Sequence, residues 1–481
     1  MIPSSSRFAH QPVTVLLWTS CIALAALCAT GCGGSSSSTS TVPGNIPVTV
    51  LATSTGNGQM TMFHVSLNSL TLTSESGKTV TVFSTPQSAE YMHLNGSVEP
   101  LTTVSIPQGI YNSASATIAE AYAMCAAVEP TGGLLINGGF YGNTDITVTV
   151  PAPIVVAGNG VGLALDLQVA SSLVLPNCVT TSSDTPPITP VFKLRPVIIA
   201  AQPTNSTNGM AMGLHGLIAT VATGGSSFSV TAADGPTWQV SASGSTVFQG
   251  VTGASQLAAG MPVDMDAAIQ ADGSLTASRV AVYDSSPTDL SASIGPLLSF
   301  YSPTTRLDEL IVESQGNIPL NEMNSFNYSN ATLQISSQLA NLQSLPFTPS
   351  FNAANMVAGQ NVITTNHAPT LPSQDFPLTT MTLLPQTING TVGAVSSSGS
   401  FTTYTVTLAP YDLFTFLPVQ PGEIATLTNP GTVVVYVDSN TQLLNSNPVA
   451  VGSLLRFHGL VFNDNGTLRM DCAQINDGVA E

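Results

Sequence analysis

Apolar and polar residues alternate along most of the chain after residue 45. In the segments 63–67, 146–150 and 163–167, apolar side chains occupy every second position, and turn-forming residues lie between such segments. A period of two is typical of strands that bury one face. Because many of these strands follow one another without intervening helices, the pattern predicts an all-β protein.

The first predicted domain, residues 46–203, is expected to be a β-sandwich in which two sheets bury one face each. Within it, residues 106–111 (Ile-Pro-Gln-Gly-Ile-Tyr) predict a corner, since proline fixes φ, glycine permits a turn and tyrosine opens the next strand. The whole segment, with its opening strand, a central region of paired strands and this corner, resembles domain-of-unknown-function family 4382 over about 150 residues. That family is found at the N-terminus of bacterial envelope lipoproteins. The resemblance implies a sandwich and no activity.

The rest of the chain repeats one pattern, in which a glycine precedes an apolar strand and a hairpin dipeptide comes near the end. The opening glycines are Gly216, Gly295 and Gly390. The hairpin dipeptide is Asp272-Gly273 in the first copy and Asn465-Gly466 in the last. Because glycine allows two backbones to approach closely, each copy is predicted to be a small barrel of five or six strands.

These copies resemble domain-of-unknown-function family 5666, a small all-β repeat; the first copy matches best and the middle one least. Their predicted boundaries are 212–284, 291–365 and 386–477. The predicted architecture is therefore all-β, with an N-terminal β-sandwich followed by about three small β-barrel-like repeat domains.

The first 31 residues are predicted to be a lipoprotein signal peptide. One cation, Arg7, precedes an apolar run over residues 12–31, and the run ends in small residues rather than in a basic cluster. The sequence Ala29-Thr30-Gly31-Cys32 resembles the lipobox of bacterial lipoproteins, which implies a diacylglycerol on Cys32. The alternative is an ordinary signal peptide that is cut elsewhere, with Cys32 inert.

Residues 32–45, rich in glycine and serine, are predicted to be a flexible tether. Two acyl chains anchor a protein stably, so the chain is expected in the bacterial cell envelope. Glycine follows Cys32 where lipoproteins retained elsewhere carry aspartate, which implies the outer membrane, with the body facing the periplasm or the cell surface.

Charge limits the partners of the mature chain. Removing residues 1–31 takes away one of eight basic residues and leaves all 26 acidic ones. Nucleic-acid binding needs Lys and Arg to neutralise phosphates, so no nucleic-acid partner is expected. The same argument counts against anionic headgroups, so the membrane contact is expected through the lipid alone. A polysaccharide or an envelope protein remains as a candidate partner.

Three cysteines lie beyond the predicted tether. Export implies an oxidising compartment, so Cys125 and Cys178 are predicted to form a disulfide in the first domain. Cys472 lies in an apolar-patterned strand near the end of the chain and is predicted to be a buried free thiol.

No familiar catalytic motif occurs in the sequence. Gly-x-Ser-x-Gly, His-Glu-x-x-His and a Walker loop are all missing, so no catalytic residue, cofactor or metal is predicted. Asp264 and Asp266 alternate on one strand, and three further carboxylates cluster near Arg306, namely Asp308, Glu309 and Glu313. All five are predicted to be solvated, with a Ca²⁺ site at Asp264 and Asp266 as the alternative. The histidines His64, His93, His215, His367 and His458 are scattered singly and are predicted to be surface or satisfied core residues.

Three aromatic residues are candidate ligand-binding positions, because sugars stack on exposed rings. Phe140 and Tyr141 lie in a glycine-flanked loop, whereas Trp238 lies in a strand, where core packing is the favoured interpretation. The sequence therefore favours a non-catalytic envelope lipoprotein with a binding or assembly role. A glycan-binding lipoprotein and a secreted glycosidase with paired carboxylates are the alternatives.

Overall fold

The computed structural model describes the chain from residue 44 to residue 476 with gaps. The described residues are 44–55, 60–92, 94, 97–128, 134–140, 146–150, 153–172, 194–199, 210–232, 235–270, 272–301, 305–315, 318, 323–338, 345–367, 376–409, 412–416, 427–429, 431–443 and 448–476.

The first part of the described chain is a sandwich of two sheets, which confirms the predicted architecture. Its elements are β1 (Asn45–Thr55), β2 (Met60–Ser74), β3 (Thr79–Phe83), β4 (Gln87–Glu90), β5 (Glu99–Pro107), β6 (Gly109–Val128), β7 (Leu134–Phe140), β8 (Ile146–Val150), β9 (Ile154–Val156), β10 (Val161–Gln168), α1 (Val169–Ser172) and β11 (Leu194–Ile199). One sheet has the order β11-β10-β1-β5. The other has the order β3-β2-β6-β7, with β4 on β2 and with β8 and β9 on β6. The two sheets share one core, to which β1 contributes Val48 and Val50 and β2 contributes Phe63 and Val65.

The predicted corner between β5 and β6 is confirmed. Tyr111 Oη donates a hydrogen bond of 2.7 Å to the carbonyl of Pro107. The ring is buried in the sandwich core, so the hydroxyl satisfies a carbonyl at the point where the chain turns from one sheet into the other.

The next part is a closed five-stranded barrel, the first barrel. Its elements are β12 (Met210–Val221), β13 (Ser227–Thr231), β14 (Thr237–Gln249), a 3-10 turn (Ala254–Gln256), β15 (Pro262–Ile269) and β16 (Leu275–Val282). The strand order around the barrel is β12-β13-β14-β16-β15. Every neighbouring pair is antiparallel except β14 and β16, which run parallel.

The middle unit follows. Its strands are β17 (Ser291–Tyr301), β18 (Arg306–Leu310), β19 (Glu313–Gln315), β20 (Met323–Asn327), β21 (Thr332–Ile335), β22 (Asn361–Asn366), β23 (Phe376–Pro377) and β24 (Thr380–Leu383). The third barrel comprises β25 (Gln386–Ser398), β26 (Phe401–Leu408), α2 (Leu413–Phe416), β27 (Thr432–Val437), β28 (Gln442–Leu443), β29 (Leu454–Asp464) and β30 (Thr467–Asn476).

All three repeat units share one strand circuit. In the third barrel, β25, β26, β27, β30 and β29 pair in the same order and sense as the five strands of the first barrel, including one parallel pair, β27 and β30. In the middle unit two strands of the circuit are each divided in two. There β20 pairs parallel with β23, and β21 pairs parallel with β24. The strands that complete the middle unit therefore lie beyond residue 365.

The opening glycine of each repeat lies against the backbone of the next strand, as the sequence predicts. An added Cβ would lie 2.5 Å from the Thr231 carbonyl oxygen at Gly216 and 1.7 Å from the Leu310 oxygen at Gly295. At Gly390 it would lie 2.5 Å from the Thr407 oxygen. Real Cβ atoms do not approach this closely, so a side chain at these positions would push the first two strands apart.

The sandwich and the repeats pack against one another through apolar and polar contacts. Leu51 and Ala164 of the sandwich belong to the core of the first barrel. Trp238 Nε1 donates to the Pro100 carbonyl at 2.8 Å, and Arg456 Nη1 donates to the Ser54 carbonyl at 2.6 Å. The first and third repeats are thus hydrogen-bonded directly to the sandwich.

Candidate functional site

Asp264 and Asp266 lie on the outer face of the first barrel, on β15. Their neighbours Val263, Met265 and Ala267 point into the barrel core, as the alternation of the strand requires. The prediction that the two carboxylates are solvated is wrong, because their exposures are 0 % and 2 %. At β15, the outer face of this barrel is covered by other parts of the chain.

Arg279 on β16 forms an ion pair with each of the two carboxylates. Its Nε lies 2.6 Å from Asp266 Oδ2, and its Nη2 lies 2.7 Å from Asp264 Oδ2. A further bond of 3.2 Å joins Nη2 to Asp266 Oδ1. The guanidinium therefore bridges two carboxylates on the neighbouring strand, as its planar array of donors allows.

Three further groups complete this cluster. Tyr283 Oη donates to Asp264 Oδ2 at 2.6 Å, and the hydroxyls of Tyr283 and Ser336 lie 2.8 Å apart. The Gly213 amide donates to Asp266 Oδ1 at 2.9 Å. Gly213 has a φ of +66° at a bulge in β12. This left-handed conformation favours glycine, and it occurs at the residue whose backbone N–H donates the hydrogen bond to Asp266. The ion-paired cluster, as we call these six residues, joins the first barrel to the middle unit through Ser336.

Burial and pairing act in opposite directions on the ionisation of this cluster. Burial raises the pKa of Asp264, but Arg279, His215 and the Tyr283 hydroxyl lower it, with a net lowering. Burial lowers the pKa of Arg279, but the two carboxylates raise it well above its ordinary value. The Ca²⁺ alternative for Asp264 and Asp266 is also wrong, because the Arg279 guanidinium occupies the place between the carboxylates that the cation would need.

The other predicted carboxylates are buried as well, so the expectation of solvation is wrong for them too. Asp308 accepts hydrogen bonds from Ser299, Tyr301 and Ser325. Glu309 is fully buried, and burial raises its pKa well above the ordinary value, against the opposing effect of nearby hydroxyls.

Glu313 lies at the edge of the ion-paired cluster. Its Oε1 is 3.7 Å from His215 Nδ1, and His215 Nε2 is 3.7 Å from Asp264 Oδ1. His215 is therefore placed between two carboxylates, one from the first barrel and one from the middle unit.

A cavity of about 140 Å³ lies beside His215, where the sandwich and the three repeats meet. Its lining residues come from all four parts of the described chain: Met92 and Ser97 from the sandwich, Met212, Gly213 and His215 from the first barrel, Ile294, Pro296, Val312, Gly359, Asn361 and Pro385 from the middle unit and its end, and Gln386, Thr387, Asn389, Asp412, Leu413 and His458 from the third barrel. We call it the junction cavity.

Two histidines that are distant in sequence line this cavity together. His458 is buried on β29, and its Nδ1 lies 3.0 Å from Thr387 Oγ1. Burial lowers the pKa of His458 to about 4, so its ring is uncharged at neutral pH. His215 and His458 are therefore not isolated surface residues, although their spacing in the sequence gives no sign of their proximity.

Asp412 and Asn389 supply further polar groups to the junction cavity. Burial raises the pKa of Asp412 to about 7, although the Phe414 and Asn389 amides donate to it and lower the value. The Phe414 amide lies 3.1 Å from Asp412 Oδ1 at the start of α2. Asn389 is 8 % exposed, and within the described part of the chain its Oδ1 accepts no hydrogen bond.

Of the candidate ligand-binding aromatics, only Trp238 has its side chain among the described residues. Trp238 is 6 % exposed and belongs to the core of the first barrel, so it presents no ring face to solvent and takes the core-packing interpretation. The Phe140 side chain and the whole of Tyr141 lie outside the described residues.

The cysteine predictions have different outcomes. Cys472 is confirmed as a free, buried thiol, and burial raises its pKa well above the ordinary value. Cys32 and Cys178 lie outside the described residues, as does the Cys125 side chain. The predicted lipid anchor and disulfide therefore remain predictions.

Sequence reasoning missed Arg279 and Asp412. A signal for Arg279 was present, because it is one of only eight basic residues and lies on a strand paired with two alternating aspartates. For Asp412 we find no comparable signal. In the described segments, no group of three or more His, Cys, Asp or Glu side chains is arranged to hold a metal. No helix among the described residues has the length and apolar character to span a membrane.

A known protein family matches part of the chain. Residues 215–281 match the family model "Domain of unknown function (DUF5666)". The matched segment covers the first barrel almost completely and includes His215, the two aspartates and Arg279. No curated protein matches the chain.

Proposed function

We propose that this chain is a non-catalytic lipoprotein of the bacterial cell envelope, with a binding or assembly role carried by its β-rich body. Cys32 carries the lipid in this proposal, and the outer membrane is its site. The resemblance of the first domain to the envelope-lipoprotein family 4382 supports the location, as does the lipobox-like sequence before Cys32.

One observation carries the non-catalytic part of the proposal. The carboxylate pair on one face of β15, Asp264 and Asp266, is held by Arg279 at 2.7 and 2.6 Å. A glycosidase needs one carboxyl group that holds a proton and a second that faces the substrate. Two buried carboxylates that share one guanidinium supply neither.

Acyl labelling tests the anchor. Cells that express the full chain are grown with a clickable palmitate analogue, and Cys32→Ser is compared with Cys28→Ser, a matched change inside the predicted signal. We expect label on the parent and on Cys28→Ser, and none on Cys32→Ser. Label that persists on Cys32→Ser would refute the proposed anchor.

Substrate screening tests the absence of catalysis. The purified full chain is incubated with chromogenic glycosides and esters, and Asp264→Asn serves as the comparison. We expect no turnover above the blank for either protein. Turnover by the parent that Asp264→Asn abolishes would establish the glycosidase alternative instead.

A further inference from the structure

We propose that the junction cavity binds one uncharged molecule of about benzene size, which has an apolar face and one hydrogen-bond donor. This inference rests on the proposed binding role and gives that role a site and a ligand class. The acyl-labelling experiment tests the lipid anchor and does not involve the junction cavity. A failure of the proposed anchor can therefore be distinguished from a failure of ligand binding in the cavity.

The size of the ligand follows from the volume. A cavity of about 150 Å³ in a protein core admits benzene, and the junction cavity measures about 140 Å³. An occupant of about six to eight non-hydrogen atoms therefore fits.

The apolar face of the ligand follows from one part of the lining. Met92, Met212, Ile294, Val312 and Leu413 contribute aliphatic or thioether groups from the sandwich and all three repeats. Methionine side chains adapt to irregular shapes and make favourable contacts with aromatic rings. This part of the lining therefore suits a flat apolar surface.

The lack of ligand charge follows from the titratable groups of the lining. Among the described residues that line the junction cavity there is no Lys or Arg, so they provide no fixed cation to hold an anion. Burial lowers the pKa of His458 to about 4 and raises the pKa of Asp412 to about 7. Just below pH 7 both groups are mainly uncharged. His215, the third of these lining residues, already lies between the carboxylates of Asp264 and Glu313. A charged ligand would therefore lose its hydration without gaining a free counter-charge.

The need for a hydrogen-bond donor on the ligand follows from Asn389. Its Oδ1 accepts no bond within the described residues, while the neighbouring Gln386 side chain is engaged at both ends, with the Asn361 amide and the Gly359 carbonyl. An unbonded buried carbonyl oxygen loses nothing by turning toward a ligand and gains a bond when the ligand carries a hydroxyl or N–H donor.

Phenol is the probe for this inference, with benzene and anisole as matched compounds that lack the donor. Ligand-observed NMR titrations use the purified full chain at pH 6.5. We expect saturable one-to-one binding of phenol that is about tenfold tighter than binding of benzene or anisole, since one hydrogen bond is worth about that factor. No phenol binding, or equal affinity for all three compounds, would overturn the proposal.

Three variants locate the binding. Asn389→Leu removes the acceptor at similar volume and is expected to bring phenol within about threefold of benzene. Asn45→Leu, at an exposed position on β1, is the matched control and should keep the preference.

Leu413→Trp fills the junction cavity from a half-buried position and should abolish binding of both compounds. Phenol binding that survives Leu413→Trp would place the ligand elsewhere and overturn the proposal. The preference of the parent for phenol over benzene is decisive even where a variant fails to fold.

Discussion

Arg279 Nε lies 2.6 Å from Asp266 Oδ2 at a position where both side chains are 2 % exposed. The pair lies outside the first barrel yet inside the molecule, because the Tyr283–Ser336 contact brings the middle unit over it. Buried charges of this kind are stable only as a complete set, since removing one partner leaves the others uncompensated.

Arg279→Met should therefore destabilise the chain strongly. The change leaves Asp264 and Asp266 buried without a cation, and we expect a loss of about 3–5 kcal/mol in the free energy of unfolding, measured by urea titration at pH 7. Arg306→Met is the matched control, because Arg306 is 39 % exposed and lies 4.0 Å from Asp308. Such a pair is worth about 1 kcal/mol or less, so equal losses for the two variants would contradict the role of the cluster.

The opening glycines provide a second prediction. Gly295→Ala places a Cβ 1.7 Å from the Leu310 carbonyl oxygen, whereas Gly109→Ala meets no atom within 4 Å. We expect Gly295→Ala to lower the free energy of unfolding by about 1–3 kcal/mol, as overpacking does. Gly109→Ala should change it by about 0.5 kcal/mol or less. Thermal unfolding of both variants decides the matter, and an unchanged melting temperature for Gly295→Ala would count against the shared strand circuit.

Alternation along the strands was enough to predict the fold class, the sandwich and the barrels. The same alternation identifies which side of β15 faces out of its own barrel, and it places Asp264 and Asp266 there correctly. It does not reveal that another unit covers that side, because a period of two reports only the local strand environment. The junction cavity was beyond prediction for the same reason, since His215 and His458 come together only when separate units pack.

His367 provides a pH-dependent contact outside the cluster. Its Nε2 lies 2.7 Å from Asp284 Oδ2, and its Nδ1 lies 2.8 Å from the Thr288 carbonyl. Burial lowers the pKa of His367, but these two acceptors raise it, with a net rise above 6.5. The protonated ring therefore contributes stability that is fully present below pH 6.5 and is lost as the pH rises through the raised pKa.

His367→Gln should remove this dependence. Above pH 6.5 the parent should lose stability with rising pH, while the variant shows a smaller change over the same range. Unfolding titrations from pH 6 to 9 measure the difference, and an NMR titration of the ring gives the pKa directly. A ring pKa below 6.5 would contradict the two-acceptor geometry.

Asp412 makes the stability of the folded chain depend on pH over a lower range than His367 does. The ordinary pKa of an aspartate side chain is 3.8, and burial raises the pKa of Asp412 to about 7 in the folded chain. The folded chain therefore keeps the Asp412 proton to a higher pH than the unfolded chain does. The resulting contribution to the free energy of unfolding is fully present below pH 3.8 and is lost as the pH rises through 7. The loss amounts to up to about 4 kcal/mol.

Asp412→Asn should flatten this part of the profile, because the amide oxygen still accepts the Phe414 amide while carrying no charge. We expect the variant to gain stability over the parent between pH 5 and 8. His458 has the opposite dependence, since its pKa falls from 6.5 to about 4, and parent and variant must be compared at each pH to separate the two effects. A constant difference between them across this range would show that Asp412 ionises normally.

We expect the sandwich and the three repeats to unfold as one body, because hydrogen bonds join the sandwich to the first and third barrels and Ser336 joins the middle unit to the first barrel. Trp238, the only tryptophan after residue 31, reports on the first barrel, and Cys472 reports on the third. The measurement is a urea titration of the mature chain, with Trp238 fluorescence and mass-spectrometric labelling of the Cys472 peptide followed on the same samples. We predict coincident transitions in the parent and separated transitions in Arg279→Met. Separated transitions in the parent would contradict the claim.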